Sequence, residues 1–167
     1  LSADDLFLFN EGSHARLYEK LGAHPRSLAG VAGTQFSVWA PNAAAVSVVG
    51  DFNGWNPETH PLQAVGNSGI WDAFVPGVSR GAVYKYRIRS QIQGYTVDKA
   101  DPYGARHGVP PRTGSVVGGL DYTWGDGEWM RRRGERPFTS SAMSIYEVHL
   151  GSWRRVPDEG NRSLTYR

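Results

Sequence analysis

The chain has no cysteine. Disulfides and thiolate metal sites are therefore excluded, and the composition suits a reducing compartment such as the cytoplasm. No apolar run is long enough to span a bilayer, and the opening residues do not read as a signal peptide. Lysine is scarce, with 3 Lys beside 15 Arg. Those 18 bases nearly balance 16 acids, leaving a net charge of +2. That balance argues against a nucleic-acid or membrane surface, even at a pI near 9.0. There is no phosphate-binding glycine loop and no nucleophile elbow. His14, His24, His60 and His107 are scattered and lack metal-ligand spacing, so neither a metal nor a cofactor is expected. No internal repeat and no low-complexity tract is present.

What remains is a globular chain of 167 residues, 40% apolar and 20% charged. That length buries one good core, or one domain and part of another. Six Trp and eight Tyr make it rich in aromatics, which core packing and sugar contact would each explain.

Residues 1–30 read as a lead-in with an apolar start. Ser13 is the expected N-cap of a short helix, with Leu17 and Leu21 on one face and Gly22 at its C′ position. From Thr34 the period changes to two. Phe36, Val38 and Ala40 point one way, and Gln35, Ser37 and Trp39 the other. Further strands are expected over 46–52, 70–75, 83–89 and 95–98, punctuated by Pro41-Asn42, Gly54 to Pro57, Pro76-Gly77 and Gln93-Gly94. In the strand at 83–89, Tyr84, Tyr86 and Ile88 share one face, and Val83, Lys85, Arg87 and Arg89 the other. Short strands at this spacing predict a mainly β fold, an antiparallel immunoglobulin-like β-sandwich over 31–105. Residues 106–142 have the Pro, Gly and Arg texture of a connector, with Arg131 to Arg133 and Arg136 read as a solvated loop. From 143 to 167 a new apolar strand, Ser144 to Leu150, is expected.

The sharpest candidate for binding is Trp55, set among Asn53, Gly54, Asn56 and Pro57. A flat aromatic suits the apolar face of a pyranose, and neighbouring amides suit its hydroxyl rim. Lys85 is placed to donate from an adjacent strand. The alternative is that Trp55 plugs one end of the sandwich while the asparagines shape the turn. Asp51, Asp98 and Asp101 are carboxylates that suit strand ends better than paired acid–base chemistry. Glu147 and His149 alternate with Ile145 on one face of the last strand, a pattern that fits hydrogen bonding inside a buried sheet better than the shaping of a site in an enzyme interior.

Taken in order, these segments resemble a known family. Leu17 to His24, Phe36 to Ala43, Gly50-Asp51-Phe52-Asn53 with Trp55, His60-Pro61, Gly69-Ile70-Trp71, Tyr84-Lys85-Tyr86, Asp98 to Pro102, Pro110 to Thr113 and Ser144 to Trp153 are similar to the amino-terminal part of bacterial glycogen branching enzymes of the α-amylase superfamily. The central run also resembles the glycogen-binding sandwich of the AMP-activated kinase β subunit. The resemblance implies an enzyme that cuts α-1,4-glucan chains and reattaches them as α-1,6 branches. It works by retaining double displacement through two carboxyl groups. It further implies that residues 143–167 open a (β/α)8 barrel of about 250 residues. The catalytic carboxylates then lie beyond Arg167, so no catalytic residue is assigned here and this segment is inactive alone. Trp55 and Lys85 match the kinase-type glucan contacts, with Tyr95 in place of a second tryptophan. The implied partners are α-glucans (glycogen, amylose, amylopectin) and the remaining barrel, which this segment positions. Other readings are a stand-alone glycogen- or starch-binding module, or the front of a debranching or trehalose-forming enzyme.

Overall fold

The computed structural model describes residues 1–119, 122–135 and 139–165. The chain divides into two units, Leu1–Asp121 and Tyr122–Arg167.

The first unit opens with helix α1 (Ala3–Glu11). Ser2 Oγ accepts from Asp5 N at 3.1 Å, and Asp5 Oδ2 accepts from Ser2 N at 2.8 Å. This reciprocal cap satisfies two donors that a helix start leaves orphaned. Gly12, at φ +82°, closes the other end. The expected helix from Ser13 is not there. Ser13 Oγ instead donates to Glu11, and only one 3-10 turn, Leu17–Glu19, follows. Gly22, at φ +107°, opens a strand instead of ending a helix.

That strand is β1 (Gly22–Leu28). It is followed by β2 (Val31–Trp39), β3 (Ala43–Gly50), β4 (Gln63–Ala64), β5 (Ile70–Pro76), β6 (Val83–Ser90), β7 (Thr96–Lys99), β8 (Arg106–His107) and β9 (Ser115–Val116). One sheet has the order β1-β2-β5-β4, and the other β3-β6-β9-β8 with β7 also paired to β6. Every pairing is antiparallel. The sandwich therefore reaches beyond 31–105, taking β1 from the lead-in and β8 and β9 from the connector. β1 tolerates Pro25 because it is an edge strand. The outer edge of β3 is also occupied: Val48 N donates to His60 O at 3.0 Å, and Leu62 N donates to Val46 O at 2.8 Å.

Phe36 and Val38 from one sheet and Val46, Val48, Tyr84 and Tyr86 from the other form the buried core. Each such side chain contributes roughly 1.5–3 kcal/mol through burial. Pairing of Gly50 with Tyr84 and Val49 with Lys85 sets the β6 register. Tyr84 and Tyr86 then point inward while Lys85 and Arg87 lie on the other face. Two buried tyrosines need a partner, and Asp101 provides it. Its Oδ2 accepts from Tyr84 Oη at 2.6 Å and Tyr86 Oη at 3.2 Å, and its Oδ1 from Tyr103 N at 2.8 Å. Burial, then the carboxylate alongside, push both phenols upward. Burial also raises the Asp101 carboxyl, against the hydrogen bonds that favour its ionised form.

The second unit holds α2 (Gly127–Glu135), α3 (Leu150–Trp153), β10 (Arg155–Val156) and β11 (Arg162–Ser163), the last two paired. The run Arg131 to Arg133 is helical, not a loop. Glu128 takes both Arg131 and Arg132 as ion-pair partners one turn away. Of this arginine cluster, Arg136 lies outside the described residues. Residues 144–149 form no strand, and α3 begins at Leu150. A buried strand of parallel type draws ladder bonds from neighbours, and no strand among the described residues pairs with 144–149. Glu147 and His149 therefore share no sheet face. His149 Nδ1 instead lies 2.7 Å from Ser152 Oγ in the turn of α3.

Candidate functional site

β3 ends where the backbone must pass closest to its neighbour. A Cβ on Gly50 would stand 2.3 Å from Val83 O and 2.5 Å from Phe52 Cε1, so only glycine fits. The chain then makes a 3-10 turn, Asp51–Asn53. Both Asp51 carboxylate oxygens lie 3.2 Å from Val83 N and cap the start of β6. Phe52 turns back into the core. Its ring stacks on Phe36 with centroids 6.1 Å apart and meets His60 edge-on at 5.6 Å.

Asn53 fastens this turn. Its Oδ1 accepts from Gly50 N at 2.9 Å. Its Nδ2 lies within hydrogen-bond reach of Val48 O, Asn56 O, Thr59 Oγ1 and His60 Nδ1, at 3.0–3.2 Å. The amide is thus spent inside the protein. Asn56 N donates to Asn53 O at 3.2 Å across Gly54 (φ +60°) and Trp55 (φ +62°). Two central residues at positive φ match a tight turn of type I′. Glycine enters that region freely, but a bulky residue there is an outlier that costs on the order of 1–3 kcal/mol. Trp55 accepts that cost, and the residue remains 40% exposed.

Val83 and Gly114 lie beside the Trp55 turn. A Cβ on Gly114 would stand 2.6 Å from Val83 Cγ1 and 4.0 Å from Trp55 Cη2. On the same face of β6 as Val83, Lys85 Nζ donates to Thr113 Oγ1 at 2.7 Å. The structure therefore gathers Trp55, Val83, Lys85, Thr113 and Gly114. Thr113 and Gly114 escaped the sequence reading as site residues. Their only signal was the Pro110-Pro111-Arg112-Thr113-Gly114 turn before an apolar Ser-Val-Val run.

Of the remaining candidates, Asn56 stays beside Trp55, while Tyr95 and Asp98 lie elsewhere. Asn56 is exposed, and its Oδ1 accepts from Glu58 N at 2.9 Å. Tyr95 is exposed at the tip of the β6–β7 hairpin, where its carbonyl accepts from Ser90 N. Gly50, at the root of the Trp55 turn, pairs with Tyr84, six positions before Ser90 on β6. Six strand residues span roughly 20 Å, so Tyr95 does not join Trp55. Beside Arg87 on β7 stands Asp98, whose carboxyl the Arg87 guanidinium holds below its ordinary range. Asp51, Asp98 and Asp101 each serve a separate local structure and form no acid–base pair. Among the described residues, no group of three or more His, Asp or Glu could hold a metal ion, and no helix is long and apolar enough to cross a membrane.

The arrangement is a partly apolar surface with a cation at its side, a combination that suits binding. The family model for carbohydrate-binding module 48 (isoamylase N-terminal domain) matches residues 20–104. Over 165 residues, 98% of its length, the chain is 53% identical to the 1,4-alpha-glucan branching enzyme GlgB of Myxococcus xanthus. It is 52% identical over 164 residues to the GlgB of Rhodospirillum rubrum. It spans only 22% of the length of each of these curated relatives. Apo pullulanase from Klebsiella pneumoniae shares the fold, with a TM-score of 0.50 and 24% identity over 62% of this chain and 11% of that one. The matched span runs from the residue before buried Leu21, through all of β1 to β7, to just past the Asp101 network, and on that match the chain belongs to the carbohydrate-binding module 48 family.

Proposed function

We propose that this chain is the glucan-binding and barrel-positioning front of a 1,4-α-glucan branching enzyme. That enzyme cleaves α-1,4 chains and transfers them as α-1,6 branches by a retaining mechanism whose carboxylates lie outside this segment. Identity above 50% along almost the whole chain to enzymes of that name supports the parent activity. On this reading residues 143–167 open the catalytic barrel, and 144–149 become a strand when barrel neighbours supply the ladder. A cytoplasmic location suits a glycogen-handling enzyme and the absence of cysteine from this segment.

The binding role rests on one observation: Trp55 is held exposed at positive φ, on a turn that Asn53 fastens to Gly50 and to the Thr59–His60 segment. A sugar ring stacks on the indole, Lys85 Nζ and Asn56 Nδ2 donate to hydroxyls, and Asn53 positions the turn without touching ligand. Tyr95 contributes to a second contact only for a chain long enough to reach the hairpin tip. The test is co-sedimentation with glycogen. The chain should pellet with the polymer, and Trp55→Ala should stay in the supernatant while keeping its circular dichroism spectrum. Equal retention of a folded Trp55→Ala would overturn the assignment.

A further inference from the structure

A second concavity lies on the same unit, away from the Trp55 turn. It is a cleft of about 560 Å³ between the 3-10 turn at Leu17–Glu19, the start of β1 and the segment after Asp101. That volume falls within the range of roughly 300–1,000 Å³ typical of small-ligand sites. Tyr18 and Tyr103 line it, and both are exposed on the unit's surface. Glu19, whose Oε1 already takes two Arg16 nitrogens, and His24, whose Nε2 lies 2.9 Å from Leu21 O, give polar edges to an otherwise apolar wall.

Tyr103 is held in place from two sides. Its N–H is bonded to the buried Asp101 carboxylate at 2.8 Å. On the other side it packs against Gly22, where a Cβ would meet Tyr103 O at 3.0 Å and Tyr103 Cβ at 3.3 Å. Gly22 also sits at φ +107°, so both space and backbone demand glycine there. The cleft wall is therefore built before any ligand arrives. Nothing in the Trp55 site uses these residues.

We infer that the Tyr18–Tyr103 cleft is a second carbohydrate subsite that takes a short α-1,4-linked glucan. This rests on the glucan reading above. The chemistry is that of a pyranose: tyrosine rings for its C–H face, with the tyrosine hydroxyls and the edge of the Arg16–Glu19 ion pair for its rim. The Trp55 surface holds one stretch of chain. The cleft would hold another, so that two stretches of one branched polymer are engaged at once.

The experiment is an amide NMR titration of the full 167-residue chain with maltoheptaose. Wild type, Trp55→Asn, Tyr18→Ala and Tyr103→Ala are compared. Expected are two groups of moving resonances, one at Gly54 to Asn56 and one at Ala23, His24 and Gly104. Trp55→Asn should abolish only the first group. Tyr18→Ala, at an exposed position that tolerates truncation, should weaken the second about tenfold, the loss of one aromatic contact. If the cleft resonances stay still while those of the Trp55 turn move, the cleft proposal fails and the Trp55 reading stands. If the cleft alone moves, the Trp55 reading fails and the cleft stands. If neither moves at millimolar sugar, both fall. Retention of cleft shifts in folded Tyr18→Ala and Tyr103→Ala alike would also overturn it.

Discussion

Lys85 Nζ donates to Thr113 Oγ1 at 2.7 Å, across 28 residues of sequence. The bond ties the middle of β6 to the segment that leads into β9, beside Trp55. It fixes an ammonium that would otherwise swing on four methylenes. Thr113→Val should release it. Stability should change by less than about 1 kcal/mol, as for other exposed polar contacts. Glycogen retention should fall, and Thr113→Ser should restore it. Unchanged retention in Thr113→Val would remove Lys85 orientation from the binding account.

Trp55→Asn separates stability from binding. Asparagine accepts the left-handed conformation more readily than a bulky aromatic, so strain is relieved when the indole is lost. Urea denaturation should give an unfolding free energy at or above that of wild type, by up to about 1 kcal/mol. Binding to glycogen should be lost. A large drop in stability would mean that the indole serves the core instead.

Asp101→Asn should destabilise the sandwich by about 1–3 kcal/mol. Two tyrosine hydroxyls and one backbone N–H donate to this carboxylate. An amide has one acceptor oxygen, so with that oxygen on Tyr103 N both tyrosine hydroxyls would turn to accept from its NH2 and lose their own acceptor. Tyr86→Phe removes one donor and leaves the carboxylate two partners, so its cost should be smaller. Denaturation of the two single variants and the double variant would show the coupling. Additive losses would mean that the network is not shared.

Acid should act on two carboxylates in opposite senses. Asp5 is held well below its ordinary value of 3.8, first by the Ser2 N–H and then by His14, with Lys20 also close. Its stabilisation is complete above the ordinary carboxylate range and is lost as pH falls below it toward the depressed folded value. Asp101 is raised by burial, so its ionisation opposes folding, and its cost declines as pH falls through its raised value. In an acid titration the stability gap between wild type and Asp5→Asn should therefore close below about pH 4. A gap that stays constant to pH 2 would refute the Asp5 part.

Much of this architecture was legible in the residues. Period-two alternation in Phe36 to Ala40 and Tyr84 to Ile88 carries β2 and β6, because one face of each meets the core. β1 was not legible: Gly22 read as the end of a helix, and Pro25 fits a strand only at a sheet edge. α1 was missed because its cap, Ser2, stands at the very start of the chain, while Ser13 offered a decoy with the right residue type. Trp55 stood out through its polar setting. The role of Asn53 did not, since an asparagine suits a turn and a sugar equally until its hydrogen bonds are counted. Tyr95 looked adjacent by motif order. The hairpin register decides otherwise, setting Asp98 beside Arg87 and sending Tyr95 to the tip.

The segment bearing Trp55 leaves the sheet at Gly50 and rejoins it at His60, where the outer edge of β3 accepts it. Both ends of the excursion are thus in register with the same strand, and Phe52 anchors its middle in the core. Little freedom remains for a ligand to remove. Glucan association at the indole should therefore carry a small entropic penalty and a fast, nearly collision-limited on-rate, with selectivity among glucans expressed in how quickly they leave.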